Sequence, residues 1–293
     1  MEAPEAEAQG LMLAGVELGI ALALLSAVAT AFSHAYLKVG QDKLAVQAWI
    51  RMIGLAAFLP LAIHFGTPPA ALMPWIVAAA LVHATYQWAL IHSYRLSDFS
   101  IAYPLARGTA PLFTLLFGVL ILRDRPAIEV VAGVAILCAG ILALVRHGSI
   151  SLRGAAVAAV TGLLTTAYSI IDAKGVRAAD SALHFIAWFY VADGFSMPAL
   201  LMMRDGGRIL PALRREPAIG IKAGLLALAS FVPALFAFRL APVGAVAALR
   251  ETSVLIGLVL GGAMLKEALD MRRAIGALLI LAGGAMVALF TAG

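Results

Sequence analysis

Apolar stretches, each about as long as a membrane-spanning helix, recur along the whole chain and are separated by short polar breaks. A helix needs about 20 mostly apolar residues to cross the hydrocarbon core of a bilayer. The breaks contain turn-forming and charged residues, as in Gly66-Thr-Pro-Pro and Arg123-Asp-Arg-Pro. The pattern predicts an all-α integral membrane protein with ten transmembrane helices. The ten predicted segments are residues 18–38, 46–65, 72–94, 98–121, 127–145, 154–173, 183–203, 218–238, 243–264 and 271–291.

The two halves of the sequence repeat each other. A shift of 143 positions places Arg107 on Arg250, and a shift of 136 positions places Lys38 on Lys174. Each half holds five predicted helices, and because five is an odd number, the second copy enters the membrane from the opposite side. Two such inverted repeats are a common architecture of secondary transporters. The predicted repeats are residues 1–148 and 149–293.

Composition narrows the class of protein. With 63% hydrophobic and 13% charged residues and a mean hydropathy of +0.99, the chain does not fit a soluble domain. Its net charge of +5 comes mostly from the breaks, which favours contact with lipid headgroups over nucleic acid. The single cysteine, Cys138, excludes an intramolecular disulfide framework and a cysteine-based metal site. No Walker motif, His-Glu-x-x-His or Gly-x-Ser-x-Gly pattern is present, so we expect no enzyme activity, no cofactor and no metal.

The distribution of basic residues predicts an orientation. Of the 21 Lys and Arg residues, fourteen are assigned to breaks on one side of the membrane and five to the side of the chain termini. The fourteen include Arg51, near the start of the second segment. Since basic loops stay in the cytoplasm, both termini are predicted to be extracytoplasmic.

Motifs in the two halves resemble those of a known family. The fourth segment contains Tyr103-Pro-Leu-Ala-Arg-Gly-Thr-Ala-Pro111 and ends in Leu122-Arg-Asp-Arg-Pro126, and a glycine-rich fifth segment follows. The second half carries a related pattern, Leu265-Lys-Glu-Ala-Leu-Asp270. From about residue 19 to 290 the chain resembles the EamA family of the drug/metabolite transporter superfamily. The resemblance implies ten helices in two inverted repeats and export of amino acids, related metabolites or small drugs. It matches the acidic ends of the fourth and ninth helices at Asp124 and Glu267.

Arginines inside apolar segments are the first candidate site residues, because a charge in hydrocarbon is costly and usually functional. Arg107 is about 14 Å along its predicted helix, near the middle of the membrane, and shares a face with Tyr103. We expect Arg107, Tyr103 and the repeat copy Arg250 to bind an anionic or carboxylate group of a substrate. The alternative is structural, with Arg107 capping helix carbonyls and Arg250 neutralised by Glu251.

The third segment carries a polar stripe. His83, Tyr86 and Gln87 are spaced to share one face of a helix. We expect them to hydrogen-bond a substrate ammonium or carboxylate group. The alternative is that they form interhelical hydrogen bonds that hold neighbouring spans together.

The seventh segment combines aromatic residues with an acid. Trp188 belongs to an aromatic group suited to an apolar side chain or an organic cation, and the alternative is a lipid-facing surface. Asp193, in the same segment, is predicted to contribute to substrate binding. Asp172, Asp193 and Glu251 are the acids well inside the second-half segments, so they are the candidates for carrying a coupled proton.

The function predicted from these features is secondary-active export of small metabolites, amino acids first, by alternating access across a bacterial inner membrane. The expected partners are a small-molecule substrate and the lipid bilayer, with no nucleic acid, and the protein is expected to be a monomer or a homodimer. Two alternatives stay open within transport, a multidrug or organic-cation transporter and a nucleotide-sugar transporter. An integral-membrane lipid enzyme is the alternative from a different class.

Overall fold

The computed structural model describes residues 2–96, 110–143, 152–256, 259 and 271–292, and within these residues every regular element is a helix. A five-residue π-helical turn, Gly118–Leu122, directly follows the helix Ala110–Phe117. The all-α prediction is confirmed. The helices are α1 (Glu2–Val39), α2 (Lys43–Phe65), α3 (Met73–Leu96), α4 (Ala110–Phe117), α5 (Ile128–Ala143), α6 (Leu152–Ala178), α7 (Ala182–Asp193), α8 (Ser196–Arg204), α9 (Ile209–Leu213), α10 (Pro217–Leu240), α11 (Val243–Glu251) and α12 (Met271–Ala292).

Six stretches in the described part of the chain are long and apolar enough to cross a membrane. Each of the six coincides with a segment predicted from hydropathy. Two shorter apolar helices, Ala110–Leu122 and Ile128–Ala143, coincide with two more. The protein is therefore a multi-pass membrane protein. The six stretches are Leu13–Leu37, Lys43–Phe65, Met73–His92, Ala182–Arg204, Pro217–Leu240 and Ala274–Thr291.

Two of the differences between the structure and the predicted segments affect the charged residues Asp193 and Arg51. The seventh segment is divided into α7 and α8 by a turn at residues 194–195. Arg51 does not lie in a loop, because it falls eight residues after the first residue of α2, about 12 Å along the helix. Its assignment to the basic breaks was wrong, and the count on that side falls from fourteen to thirteen. The majority that predicts the orientation is unchanged.

The helices pack in three extended pairs: α1 with α10, α3 with α6, and α5 with α12. Glycines set the distance in the last pair, since a side chain at Gly140 would meet the backbone of Gly276 and one at Gly283 would meet the backbone of Gly133. Small residues of this kind let two membrane helices approach closely. Helix α2 lies against both α7 and α10, and α4 lies against α11.

Contacts at the ends of α1 and α10 define the two ends of the bundle. Gly19, early in the apolar part of α1, lies against Leu240 at the end of α10. At the other ends of these helices, Glu216 accepts the backbone N–H groups of Gln41 and Asp42 at 2.8 and 3.0 Å. The two helices are thus antiparallel. The end at Leu240 is called the terminal end below, and the end at Asp42 is called the distal end.

Candidate functional site

A cavity of about 90 Å³ lies inside the bundle, large enough for several water molecules. Helices α1, α2 and α3 form one part of its wall, and α6, α7, α10 and α11 form the other. In α1 and α2 the lining residues run from Thr30 to Leu37 and from Gln47 to Arg51, which is the half of each helix nearer the distal end. The cavity therefore extends from the middle of the bundle toward the distal end.

Four of the predicted site residues line this cavity. His83, Tyr86 and Gln87 contribute from α3, and Arg250 contributes from α11. The structure thus brings together a stripe from the first half of the chain and an arginine from the second. Tyr103 and Arg107 lie outside the described residues.

Trp188 lies away from the cavity wall. Its indole Nε1 donates to the carbonyl oxygen of Gly66 at 2.9 Å, at the end of α2. In the described structure this tryptophan joins two helices near the terminal end. Sequence reasoning placed it in a binding wall only because it sits among aromatic residues.

His83 forms a buried pair with Asp172. The ring Nε2 of His83 lies 3.0 Å from Oδ2 of Asp172, and the two residues are 4% and 0% exposed. The imidazole is enclosed by aromatic rings, with centroids of Tyr168 and Phe231 at 4.4 and 5.0 Å. The pair combines an imidazole with a carboxylate, and both are groups that can bind a proton. It connects α3 of the first half with α6 of the second half.

Asp193 lies behind the wall and pairs with an arginine that lines it. Its Oδ2 is 2.5 Å from Nη1 of Arg51, and the side chains are 0% and 8% exposed. The Ser196 hydroxyl donates to Oδ1 of the same carboxylate at 3.2 Å. Sequence reasoning missed Arg51 because it counted this residue as a loop base. Its position well inside the second apolar segment was the signal that could have identified it.

Arg250 has a different environment from Arg51. Its Nε donates to the Ser26 hydroxyl at 3.0 Å, and its guanidinium lies 5.7 Å from the ring centroid of Phe231. Asp172 interacts with it through space without an ion-pair contact. Within the described ranges no carboxylate lies at ion-pair distance from this guanidinium. Arg250 therefore brings a positive charge to the cavity that no contacting acid neutralises. The adjacent Glu251 is also buried, at 3% exposure.

A hydrogen-bonded network joins five segments at the terminal end. Asp124 accepts from Nη1 of Arg177 at 2.9 Å and from the backbone N–H of Val243 at 2.7 Å. Arg177 also donates to the carbonyl oxygens of Phe238 and Ala241, both at 2.9 Å. Asp124 thus stabilises the first turn of α11 and fixes the loop before α5 to the end of α6. Glu267, its predicted counterpart in the second half, lies outside the described residues.

A second charged network lies at the distal end. Asp42 accepts two hydrogen bonds from Arg204, at 2.8 and 2.6 Å, and a third from Arg215 at 3.1 Å. The hydrogen bond from Arg204 is the main cause that lowers the pKa of Asp42 from 3.8 to about 2. This network connects the start of α2 with the segment between α8 and α10.

The described residues offer no group of three His, Cys, Asp or Glu side chains placed to hold a metal ion. The chemistry available in the cavity is that of guanidinium, imidazole, amide, hydroxyl and aromatic groups. Groups of these kinds can form hydrogen bonds with a small polar molecule, and an imidazole can exchange a proton.

Comparison with known proteins gives a fold and a partial family match. A protein of known crystal structure superposes with a TM-score of 0.69 at 19% sequence identity, covering 94% of this chain and 98% of that chain. At that identity the likeness shows the fold alone. No curated protein is significantly similar in sequence. The model of the EamA-like transporter family matches residues 14–146, in agreement with the resemblance stated from the motifs. Residues 14–146 of this membrane protein thus match the EamA-like transporter family, which is consistent with the drug/metabolite transporter superfamily.

Proposed function

We propose that this protein is a secondary-active exporter of small carboxylate-bearing metabolites, amino acids first, which works by alternating access. The observation that carries the proposal is the central cavity, whose wall is built from both halves of the chain and includes a buried arginine that contacts no acid among the described residues. An arginine is costly at that depth unless it binds something. A carboxylate is the partner that its planar fork fits best.

The charges in the cavity favour this substrate over the alternatives. Arg250 repels an organic cation, which would have to displace or neutralise it. A nucleotide sugar carries two phosphates, whereas in the described part of the cavity wall Arg51 is already paired with Asp193, which leaves Arg250 as the arginine without a contacting acid there. A single carboxylate with a small side chain requires the least change in the described structure.

The proposal includes two inverted repeats, residues 1–148 and 149–293. Under the predicted ten-helix order, α1 and α6 are first helices of their repeats, and α3 and α10 are third helices. The packing of α1 on α10 then has its counterpart in the packing of α6 on α3. Likewise α1 packs on α11 as α6 packs on α4, and the two fifth helices, α5 and α12, pack on each other. Paired contacts of this kind support a two-fold relation between the halves.

Alternating access requires the two ends of the bundle to open in turn. The networks around Asp124 and Asp42 join different segments at opposite ends, which suits them to hold one end closed while the other opens. The cavity extends toward the distal end, where most of the basic residues are predicted. By the positive-inside rule that end is cytoplasmic, so substrate enters from the cytoplasm and both termini lie outside the inner membrane.

Proton coupling is assigned to the pair of His83 and Asp172. Asp193 is held in an ion pair by Arg51, a residue that does not release its proton in proteins. Asp172 instead contacts the imidazole of His83, a group that can donate or accept a proton. Among the acids proposed from the sequence, Asp172 is therefore better placed to exchange a proton than Asp193. Glu251 stays a second candidate.

The test is transport by purified protein in proteoliposomes with labelled amino acids, with and without a pH gradient. Arg250→Lys keeps the charge but loses the bidentate fork, so substrate affinity should fall measurably. Arg250→Ala should lose more, about 1.5–3 kcal/mol or roughly 10- to 100-fold. Amino acid amides, which lack the carboxylate, should compete poorly in the wild type and lose little further in Arg250→Ala.

The matched control is Arg214→Ala, which removes an exposed arginine outside the cavity. It should leave affinity unchanged. If the amide and the acid compete equally in the wild type, Arg250 does not bind a carboxylate, and the proposed substrate class is wrong.

A further inference from the structure

We infer that the amide pair of Gln47 and Gln87 is a second subsite of the cavity, which accepts a hydrogen bond from the ammonium group of the substrate. The inference rests on the proposed function and deepens it, because it names the group that distinguishes a zwitterionic amino acid from a simple carboxylic acid. Gln47 was not among the residues singled out from the sequence.

The two amides are joined across α2 and α3. Nε2 of Gln47 donates to Oε1 of Gln87 at 2.9 Å. This bond uses one donor of Gln47 and leaves the carbonyl Oε1 of Gln47 without a partner among the described residues, although the residue is 3% exposed and lines the cavity. A buried carbonyl oxygen is costly to leave unpaired, and nearly all such groups in proteins have a donor.

Gln47 Oε1 receives no hydrogen bond from its own helix. Arg51 lies one turn further along α2, on the same face as Gln47, but its Nη1 pairs with Asp193, and its Nε, which has no partner among the described residues, does not bond this oxygen. The bond to Gln87 fixes the orientation of the Gln47 amide, so its free oxygen stays at the cavity wall. Oε1 of Gln47 therefore requires a hydrogen-bond donor from a molecule inside the cavity.

The surroundings suit a cation better than a second anion. Tyr86 and Tyr168 also line the cavity, and their rings are packed edge to face with centroids 5.1 Å apart. Aromatic faces and an amide oxygen both attract an ammonium group. Arg250, in the same cavity, attracts a carboxylate. Gln47 and the two tyrosines therefore match the ammonium group of a zwitterion, and Arg250 matches its carboxylate.

The ammonium subsite should give the protein a preference for amino acids over desamino acids, which the carboxylate subsite alone does not give. An amino acid should bind better than the same molecule without its amino group by roughly 10- to 100-fold, the usual effect of a hydrogen bond to a charged group. A water molecule in the cavity could instead satisfy Gln47, and then the amino group would make little difference.

The experiment is competition for binding to the full-length protein. Leucine, phenylalanine and threonine are each compared with their desamino acids and with their amides, in the wild type and in Gln47→Met. The expected result is a wild-type preference for the amino acid over the desamino acid of at least about tenfold, reduced to within about threefold in Gln47→Met. The preference for the amino acid over its amide, which reports on Arg250, should persist in that variant.

Three further variants make the result specific. Gln47→Glu keeps an acceptor at this position and should keep the preference. Gln41→Met changes an exposed glutamine of the distal end and should leave every ratio unchanged. If Gln47→Met does not fold, Gln87→Met removes the bond that orients Gln47 and should lower the same ratio.

The outcomes separate this inference from the proposed function. Equal binding of amino acids and desamino acids in the wild type, or an unchanged ratio in Gln47→Met, overturns the inference and leaves the carboxylate site standing. Failure of all three amino acids to bind overturns the proposed substrate class, and the inference with it.

Discussion

Replacement of the two buried aspartates should have unequal effects on stability, although both lie at 0% exposure. Asp193→Asn leaves Arg51 in the bundle interior with no anion to neutralise it, and arginine keeps its charge at any accessible pH. Loss of one partner of a buried ion pair typically costs about 3–5 kcal/mol. Asp172→Asn leaves His83 beside a neutral amide, and an imidazole, unlike a guanidinium, can exist uncharged. The cost there should be that of one hydrogen bond, about 1–2 kcal/mol.

The measurement is the free energy of unfolding of each variant, obtained by titration with a denaturing detergent in mixed micelles. The double variant Arg51→Met/Asp193→Leu removes both charges and should recover much of the loss seen in Asp193→Asn. The effects on transport should have the opposite order, with the larger effect in Asp172→Asn. Asp172→Asn should abolish acceleration by a pH gradient while counterflow persists. Two results would refute the interpretation of Arg51 and Asp193 as a stabilising buried ion pair. One is a loss of less than about 1 kcal/mol in Asp193→Asn, and the other is a double variant that is no more stable than Asp193→Asn.

Four further predictions concern packing, pH, gating and orientation. Gly283→Ala should lose about 1–3 kcal/mol, because its methyl group meets the backbone of α5, while Gly15→Ala, with only an ordinary side-chain contact, should leave the melting temperature unchanged. Folding lowers the pKa of Asp42 to about 2, so its pairing stabilises the protein above about pH 4 and is lost as the pH falls toward 2. Asp42→Asn should remove that step from a pH titration of stability, worth about 1 kcal/mol after solvent screening. Arg177→Gln should loosen the terminal-end network and increase labelling, from the side of the termini, of a cysteine placed in the cavity wall. A fluorescent reporter fused after Gly293 should stay dark, as expected for an extracytoplasmic terminus, and bright fluorescence would reverse the predicted orientation.

Much of the architecture followed from local properties of the sequence. The length and hydropathy of a segment decide whether it crosses a membrane, and both are properties of neighbouring residues. The stripe of His83, Tyr86 and Gln87 could be assigned to one surface because helical spacing is also local. The family match over residues 14–146 agrees with motifs that are continuous in the sequence.

Only the tertiary structure decided which polar residues meet. Gln47 and Gln87 are 40 positions apart, His83 and Asp172 are 89 apart, and Ser26 and Arg250 are 224 apart. Hydropathy gives each of these residues a depth but no partner, because rotation of each helix about its axis is set by packing against its neighbours. For this reason Gln47 was not identified, and Trp188 was placed in a wall that the described structure builds from other residues. Arg51 was missed for a different reason, because it was counted as a loop residue although it lies inside α2. The sequence determined that polar groups lie inside the membrane, and packing decided that Arg51 is neutralised by Asp193 whereas Arg250 has no acid in contact within the described ranges.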